Sequence, residues 1–490
     1  MINLIKFSPV FLLGVLVFNG TDILISASVG LIYAAVLCVI LEKVKLNEIM
    51  SIAVEGAKDG MLPSFVLMLA YALAEIYMAT GVGAAAIGLF INLGVTGATV
   101  ATVALIASCV LSTATGTFWG TFAACIPIFM WLCDIVGGNP ALTFAATVGG
   151  SAFGDNIGLI SDTTILSSGF QDVKVVDRVR VQAPWSILCV IVSAVLTFIT
   201  GKMMGLPNVV GDTADIISRI PQEAWEALMV ERPAVITLLE QVQTGVPIYM
   251  LIPVILVIVM AIMQIDTIIC LTSGIVAASI FGAIAGTITS PADVASLVQT
   301  GFESAGSWAV IMLFWAMGFG AVMRRMDAFT PLARMFVKMS RKVRHLLCCN
   351  GLLCLIINGT VNEEMSQMAT VGPILREIVD NNVEGSEEDK YKLRNRSALF
   401  SDGIGVMSAT LIPWHTGVAY YMGLAAAVYP LYSFTVGDLY FNYLAIIMIL
   451  SIFFLTFTGL DRFILWFGLP SEPDVKLIKA EDKKEEVKAE

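Results

Sequence analysis

Charge is scarce in this 490-residue chain. Asp, Glu, Lys and Arg make up 14% of it, against about 25% in a soluble globular domain, and histidine occurs only twice. With 57% hydrophobic residues and a mean hydropathy of +0.85, the chain carries more apolar surface than a soluble fold can bury. It also lacks a basic stripe interleaved with aromatics, which excludes a nucleic-acid surface. The nine cysteines lack CxxC spacing. Cys38, Cys109, Cys125, Cys189 and Cys270 stand singly in apolar runs, and the group Cys348, Cys349, Cys354 has the wrong spacing, so they read as small buried hydrophobes. A GxGD motif is missing as well, which argues against an intramembrane aspartyl protease, and no continuous polar stripe marks a channel pore. Neither an enzyme nor a cofactor is expected.

What is present is a succession of apolar runs, near 4–19, 22–42, 61–80, 97–115, 117–133, 141–170, 183–203, 246–264, 267–287, 306–323, 346–358, 360–378, 397–417 and 440–460. They predict an all-α polytopic membrane transporter of about 12–14 transmembrane segments. The first run follows Lys6 and is closed by no small-x-small cleavage site, so it reads as a retained span. Residues 204–245 turn polar and acidic and form the connector between a first transmembrane repeat, 1–203, and a second, 246–460. From 461 the chain reads as a cytoplasmic tail. Beyond Ser471 it is rich in Lys and Glu and is expected to be solvated and disordered.

The two halves are related. A shift of 247 sets Phe153, Asp155, Ile157, Gly158, Ser161 and Thr163 on Phe400, Asp402, Ile404, Gly405, Ser408 and Thr410. A shift of 246 sets Pro127 on Pro373 and TATGT (113–117) on GTVNE (359–363). Equivalent loops differ in charge. The loop after 61–80 has no Lys or Arg, whereas its partner holds Arg324, Arg325, Arg334, Lys338, Arg341, Lys342 and Arg344. Lys43, Lys45 and Lys58 have only Asp293 and Glu303 opposite them. Basic loops mark the cytoplasmic side, so the repeats are expected to be inverted, with broken or re-entrant segments at 117–133 and 360–378. Counting each broken segment as one crossing puts the basic loops, including Lys174, Arg178 and Arg180, and both termini inside. Arg324 and its neighbours, with Phe329, Leu332, Phe336 and Met339 interleaved, read as an amphipathic surface helix.

The densest polar stretch is GDNIGLISDTT (154–164), preceded by forty residues with one charge, Asp134. In inverted-repeat transporters, interrupted helices meet near the midplane, where freed carbonyls and half-helix ends line an ion or substrate site. One charged side chain there costs about 2.5–3.5 kcal/mol, so Asp155, Asp162, Glu363, Glu364 and Asp402 would together cost roughly 12–18 kcal/mol if ionised and unpaired. No Lys or Arg lies within those segments, which leaves a proton or a metal cation as partner. The oxygens of Asn156, Ser161, Thr163 and Thr164 suit a hard cation, bound transiently by Asp155 and Asp162. Thr115, Thr117, Asn362, Ser408 and Thr410 are further candidate ligands. Each has a structural alternative. Asp155 and Asp402 occupy equivalent positions and could cap broken helix ends, whereas Asp162 faces Ala409 across the repeat. Glu363 and Glu364 face Thr117 and Phe118. Glu75 is either a snorkelling carboxylate or a relay, and His415 is either a pH sensor or a hydrogen-bonded structural residue.

TATGTFWGT (113–121), FGDN (153–156), SDTTILSS (161–168) and LIPWHTG (411–417) resemble the signature segments of the NhaC-type Na+/H+ antiporter family, within the wider ion transporter superfamily. Three departures stand out. Ile157-Gly158 replaces Ser-Pro, Ser408-Ala409 replaces a second Ser-Pro, and His415 stands where Asn is usual. The resemblance implies a secondary active transporter in the cell membrane that exchanges Na+ for protons, with a homodimer as the assembly expected of the superfamily. Since the family also holds members that move organic acids or amino acids with a coupling ion, a Na+- or H+-coupled carrier of that kind is the alternative.

Overall fold

A computed structural model describes the chain except residues 1–4, 59, 159–160, 210–219, 221, 232, 264, 308, 327–328, 464–472 and 479–490. The first half is a string of helices: α1 Ser8–Phe18, α2 Ile23–Glu42, α3 Leu46–Lys58, α4 Met61–Thr80, α5 Val82–Asn92, α6 Val100–Thr115, α7 Phe118–Ile135, α8 Pro140–Ile157, α9 Asp162–Gln171 and α10 Val175–Met203. After α11 Gln222–Glu231 and α12 Pro233–Thr244 the order starts again. It runs α13 Ile252–Ile262, α14 Thr267–Ala285, α15 Pro291–Ser307, α16 Ala309–Arg325, α17 Phe329–Met339, α18 Val343–Val361 and α19 Glu364–Asn382. It ends with α20 Glu387–Leu399, a π turn Phe400–Ile404, α21 Gly405–Ala409, α22 Thr416–Val428 and α23 Tyr443–Thr458. Among the described residues, seven helical stretches are long and apolar enough to cross a membrane, and six apolar helices are shorter. The protein is an all-α, multi-pass membrane protein.

The repeat read from short identities extends through the element order. Its local geometry repeats as well. Asp22 and Asp266 cap α2 and α14 in the same way, each accepting from the backbone N–H two residues on at 2.8 Å. Pro127 lies inside α7 and Pro373 inside α19. Packing between the halves is reciprocal. Helix α4 lies on α14 and α15, and its counterpart α16 lies on α2 and α3. Helix α9 lies on α19, and α22 lies on α7. Such an exchange of equivalent surfaces is what a two-fold relation produces.

The closest helix pairing is α6 against α8, where GSAFG (150–154) removes side chains from the contact. Ser112 Oγ donates to the Gly150 carbonyl at 2.8 Å and accepts from the Gly154 N–H at 2.9 Å, and a Cβ on Gly154 would overlap the Ser112 carbonyl. Small residues permit this approach in an apolar setting where helix association rests on packing and interhelical hydrogen bonds.

Several expectations need correction. The apolar run at 397–417 is divided otherwise than its hydropathy suggests. The helix from 387 runs through the π turn to Ala409, the break falls at 410–415, and the largely buried α22 follows with no counterpart in the list of runs. The connector 204–245 is more than polar linker: α12 buries Val235, Leu238 and Leu239 against the first half, and Gln241 Nε2 donates to the Ala79 carbonyl at 2.9 Å. Its Asp212 and Asp215 lie outside the described residues. The tail is not wholly free, since Val475–Leu477 forms an antiparallel pair with Val383–Gly385. Glu75 is buried within α4, which removes the snorkelling reading.

Replacing Gly154 by Ala should destabilise the α6–α8 contact by up to about 3 kcal/mol. The melting temperature in detergent, followed by size-exclusion chromatography, should fall for this variant and hold for Gly88→Ala, whose Cβ would meet nothing. Equal melting of the two would contradict the packing described.

Candidate functional site

Two chain breaks with one geometry frame the site. Helix α6 ends at Gly116, in the left-handed region at φ +66°, and Thr117 is extended before α7 begins. Helix α18 ends at Asn362, also left-handed at φ +59°, and Glu363 is extended before α19 begins. Glycine takes this conformation freely, and Asn is the residue that tolerates it next best. A third break separates α8 from α9, with Gly158 and Ser161 extended at either end of it.

Each break leaves helix N–H groups without intrahelical partners, and at two of them carboxylates accept from those groups. Asp155 Oδ2 accepts from the Phe118 N–H at 3.2 Å, at the start of α7. Glu363 accepts from the Met365 and Ser366 N–H groups at 3.0 and 2.6 Å. Asp162 opens the first turn of α9, and Asp266 caps α14. The positive ends of four helices thus point into one region, where they favour negative charge. Between them lies a cavity of about 550 Å³. Asp155, Asp162, Asp266, Glu363 and Glu364 line it, together with Thr115, Thr117 and Thr163, and Phe118 and Trp119 supply apolar wall. Among the described residues, none that line it is basic. Asp155 and Glu364 are only 4% and 5% exposed, and among the described residues no hydrogen bond to the Glu364 carboxyl is found.

The remaining candidates stand behind the cavity and hold it. Ser161 Oγ donates to Asp155 Oδ1 at 3.0 Å. Thr163 and Thr164 donate to the Asp155 carbonyl at 2.9 and 3.0 Å. The Asp155 carbonyl at this break is therefore occupied by hydroxyls. A buried carbonyl must find a donor, and the Ser/Thr cluster supplies one. Asn362 accepts through its backbone carbonyl from Thr416 Oγ1 at 2.8 Å, while its buried side-chain amide has no partner among the described residues. Ser408 Oγ accepts from Asn358 Nδ2 at 2.8 Å, and Thr410 Oγ1 donates to the Met407 carbonyl and accepts from Asn442 Nδ2.

Asp402 is the largest departure. Expected to lack any basic partner, it forms a fully buried ion pair with Arg178. Arg178 is not in a loop but in the first turn of α10. Its Nη2 also donates to the Asn156 carbonyl at 3.3 Å and to Gln182 Oε1 at 2.8 Å. Gln182 and Ser186 in turn donate to Asn156 Oδ1. Sequence reasoning missed this role because the charge comes from a different helix. One signal was there: Arg178, Gln182 and Ser186 recur every four residues and so share a face of α10. Asp266 was missed too, although Asp-Thr before an apolar run is an N-cap signature.

His415 caps α22. Asn358 Nδ2 donates to the Gly405 carbonyl and to Ser408 Oγ, so its Oδ1 faces His415 Nε2 at 3.1 Å as acceptor. Nδ1 accepts from the Gly417 N–H at 3.0 Å. Both ring nitrogens are thereby committed in a neutral imidazole, an arrangement that favours the structural role over the pH sensor.

A model of the Na+/H+ antiporter family matches residues 1–202 and 205–460. The chain belongs to this family. Among relatives of the Na+/H+ antiporter family chain described here, the Na+/H+ antiporter NhaC of Alkalihalophilus pseudofirmus is 24% identical over 396 residues, 76% of this chain and 78% of that protein. The malate-2H+/Na+-lactate antiporter of Bacillus subtilis is 22% identical over 65% of this chain and 66% of its own length. The arginine/ornithine antiporter ArcD of Halobacterium salinarum is 24% identical over 64% of this chain and 63% of its own length. The protein is thus a secondary membrane transporter.

The cap makes a prediction about His415. His415→Asn, a good N-cap by itself, should leave the pH profile of transport in place. His415→Ala should cost about 1 kcal/mol of stability. A pH profile displaced in the Asn variant would restore His415 as a sensor.

Proposed function

We propose that this protein is a Na+/H+ antiporter of the cell membrane that exchanges the two ions at Asp155 and Asp162. The observation that carries the reading is the cavity lined by five carboxylates and, among the described residues, by no Lys or Arg. An anionic cargo would meet five carboxylates there, which speaks against the organic-acid alternative. A cation is attracted, and the hydroxyls and carboxylates are ligands of the kind hard cations take. Among the described residues, no three His, Cys, Asp or Glu side chains are grouped closely enough to hold a metal ion. One further observation favours a cationic amino acid as the second reading: 550 Å³ lies within the range of small-molecule pockets, roughly 300–1,000 Å³.

Proton and Na+ would compete for the same oxygens. In proteoliposomes, apparent Na+ affinity should weaken as pH falls, with the maximal rate recovered at saturating Na+. The acids are close enough to titrate together, so one apparent macroscopic value is the quantity to read. A maximal rate that falls with pH at constant Na+ affinity would contradict competition at this site.

The repeats, 1–203 and 246–460, would be inverted in the membrane, with both termini cytoplasmic and the charged end beyond 461 on that side. A homodimer is the assembly proposed. Topology is open to cysteine labelling, though not at every residue. Thr213 lies outside the described residues, and Ser340 is buried with its Oγ donating to the Phe336 carbonyl. The exposed Asn208 and Arg341 serve instead: in a background without native cysteines, Asn208→Cys should label from outside and Arg341→Cys from inside. Labelling of both from one side would overturn the inversion.

A further inference from the structure

The repeat places Asp155 and Asp402 at equivalent positions, yet their surroundings differ in one respect that bears on transport. Asp155 faces the cavity and accepts only neutral donors, Ser161 Oγ and the Phe118 N–H. Asp402 is 0% exposed, lies in the π turn, and is paired with a guanidinium. Helix α23, which follows α22 as α10 follows α9, carries no Lys or Arg, so the first carboxylate has no tethered cation to match.

We propose that Arg178 is a tethered counter-cation: its guanidinium permanently fills, at Asp402, the place that an exchangeable cation takes at Asp155. A two-fold arrangement of carboxylates then works as a one-sided ion site. The inference rests on the cation-exchange reading above and adds a positioning residue to it.

Three features support the assignment. The pair is unsaturated: Arg178 Nε and Nη1 and Asp402 Oδ1 have no hydrogen-bond partner among the described residues, so charge, more than a complete hydrogen-bond lattice, holds them. The arginine is fixed from outside the pair. The first turn of α10 is tied to α20 by Tyr391, whose hydroxyl accepts from the Lys174 N–H at 3.0 Å and donates to Asp177 Oδ2 at 2.9 Å. Finally, the pair is linked to the ion site through two short routes. Arg178 Nη2 holds the Asn156 carbonyl, next in chain to Asp155. Thr164 Oγ1 lies 3.0 Å from the Asp155 carbonyl and 3.4 Å from Asp402 Oδ2. A guanidinium left unpaired here would set a positive charge beside the Asp155 site.

The test is a rescue series in proteoliposomes, reading apparent Na+ affinity and the Na+:H+ coupling ratio from the Na+ gradient that just halts proton flux. Asp402→Asn alone should weaken apparent Na+ affinity at least ~10-fold, because it leaves Arg178 uncompensated. Arg178→Gln/Asp402→Asn, which removes both charges, should recover most of that affinity and keep the wild-type coupling ratio. A ligand role for Asp402 predicts instead that the double variant is as impaired as Asp402→Asn, or that its coupling ratio changes, and either result in a monodisperse protein overturns the proposal. If the double variant is not recovered folded, Arg178→Lys replaces it: a tethered cation tolerates lysine with an unchanged coupling ratio, and a changed ratio counts against it. Failure of the exchange reading itself would look different, as a wild type in which Na+ drives no proton movement. The same series would then be read with radiolabelled ornithine as the cargo cation.

Discussion

A helix interrupted inside a bilayer exposes N–H groups that no water is at hand to satisfy, and this constraint organises the protein around its cavity. Asp155 and Glu363 accept from those groups at the starts of α7 and α19, Asp162 opens α9, and the exposed Asp266 caps α14. The acids are therefore tolerated in an apolar chain because broken helices need acceptors. The same acids, gathered by four converging helix ends, create a region of negative charge that a cation can enter. Structure and site are one solution to one problem.

The repeat supplies the frame, and differences between its copies supply the chemistry. Gly116 and Asn362 turn the chain alike, and α4 and α16 pack alike against the opposite half. Within that frame Asp155 meets hydroxyl and N–H groups at the cavity wall, whereas Asp402 meets Arg178 in the interior. Removing one partner of such a buried pair costs about 3–5 kcal/mol, because the other charge is stranded. The pair thus gives the second half rigidity where the first half keeps an accessible carboxylate.

Much of this was legible in the residues. The all-α membrane class followed from composition, the duplication from the FGDN and FSDG copies, and the cavity acids Asp155, Asp162, Glu363 and Glu364 from their isolation in apolar sequence. The resemblance carried by TATGTFWGT and SDTTILSS agreed with the family that the chain matches. What stayed hidden depended on tertiary placement. Arg178 looked like a loop charge because it lies near a helix start, and only the crossing of α10 behind α8 brings it to Asp402. Helix α22 had no counterpart among the apolar runs. The division of labour between Glu363, bound to two N–H groups, and Glu364, open to the cavity, cannot be told from two adjacent glutamates.

The central claim is that a cation and a proton exclude one another at the carboxylates of this cavity, with Asp155 as the core of the site. It is tested most directly by proton release from the purified protein in weakly buffered detergent solution. Adding Na+ should acidify the medium, choline should not, and Asp155→Asn should abolish the response while the protein stays monodisperse. Heat of Na+ binding without proton release, or a full response from Asp155→Asn, would contradict the account.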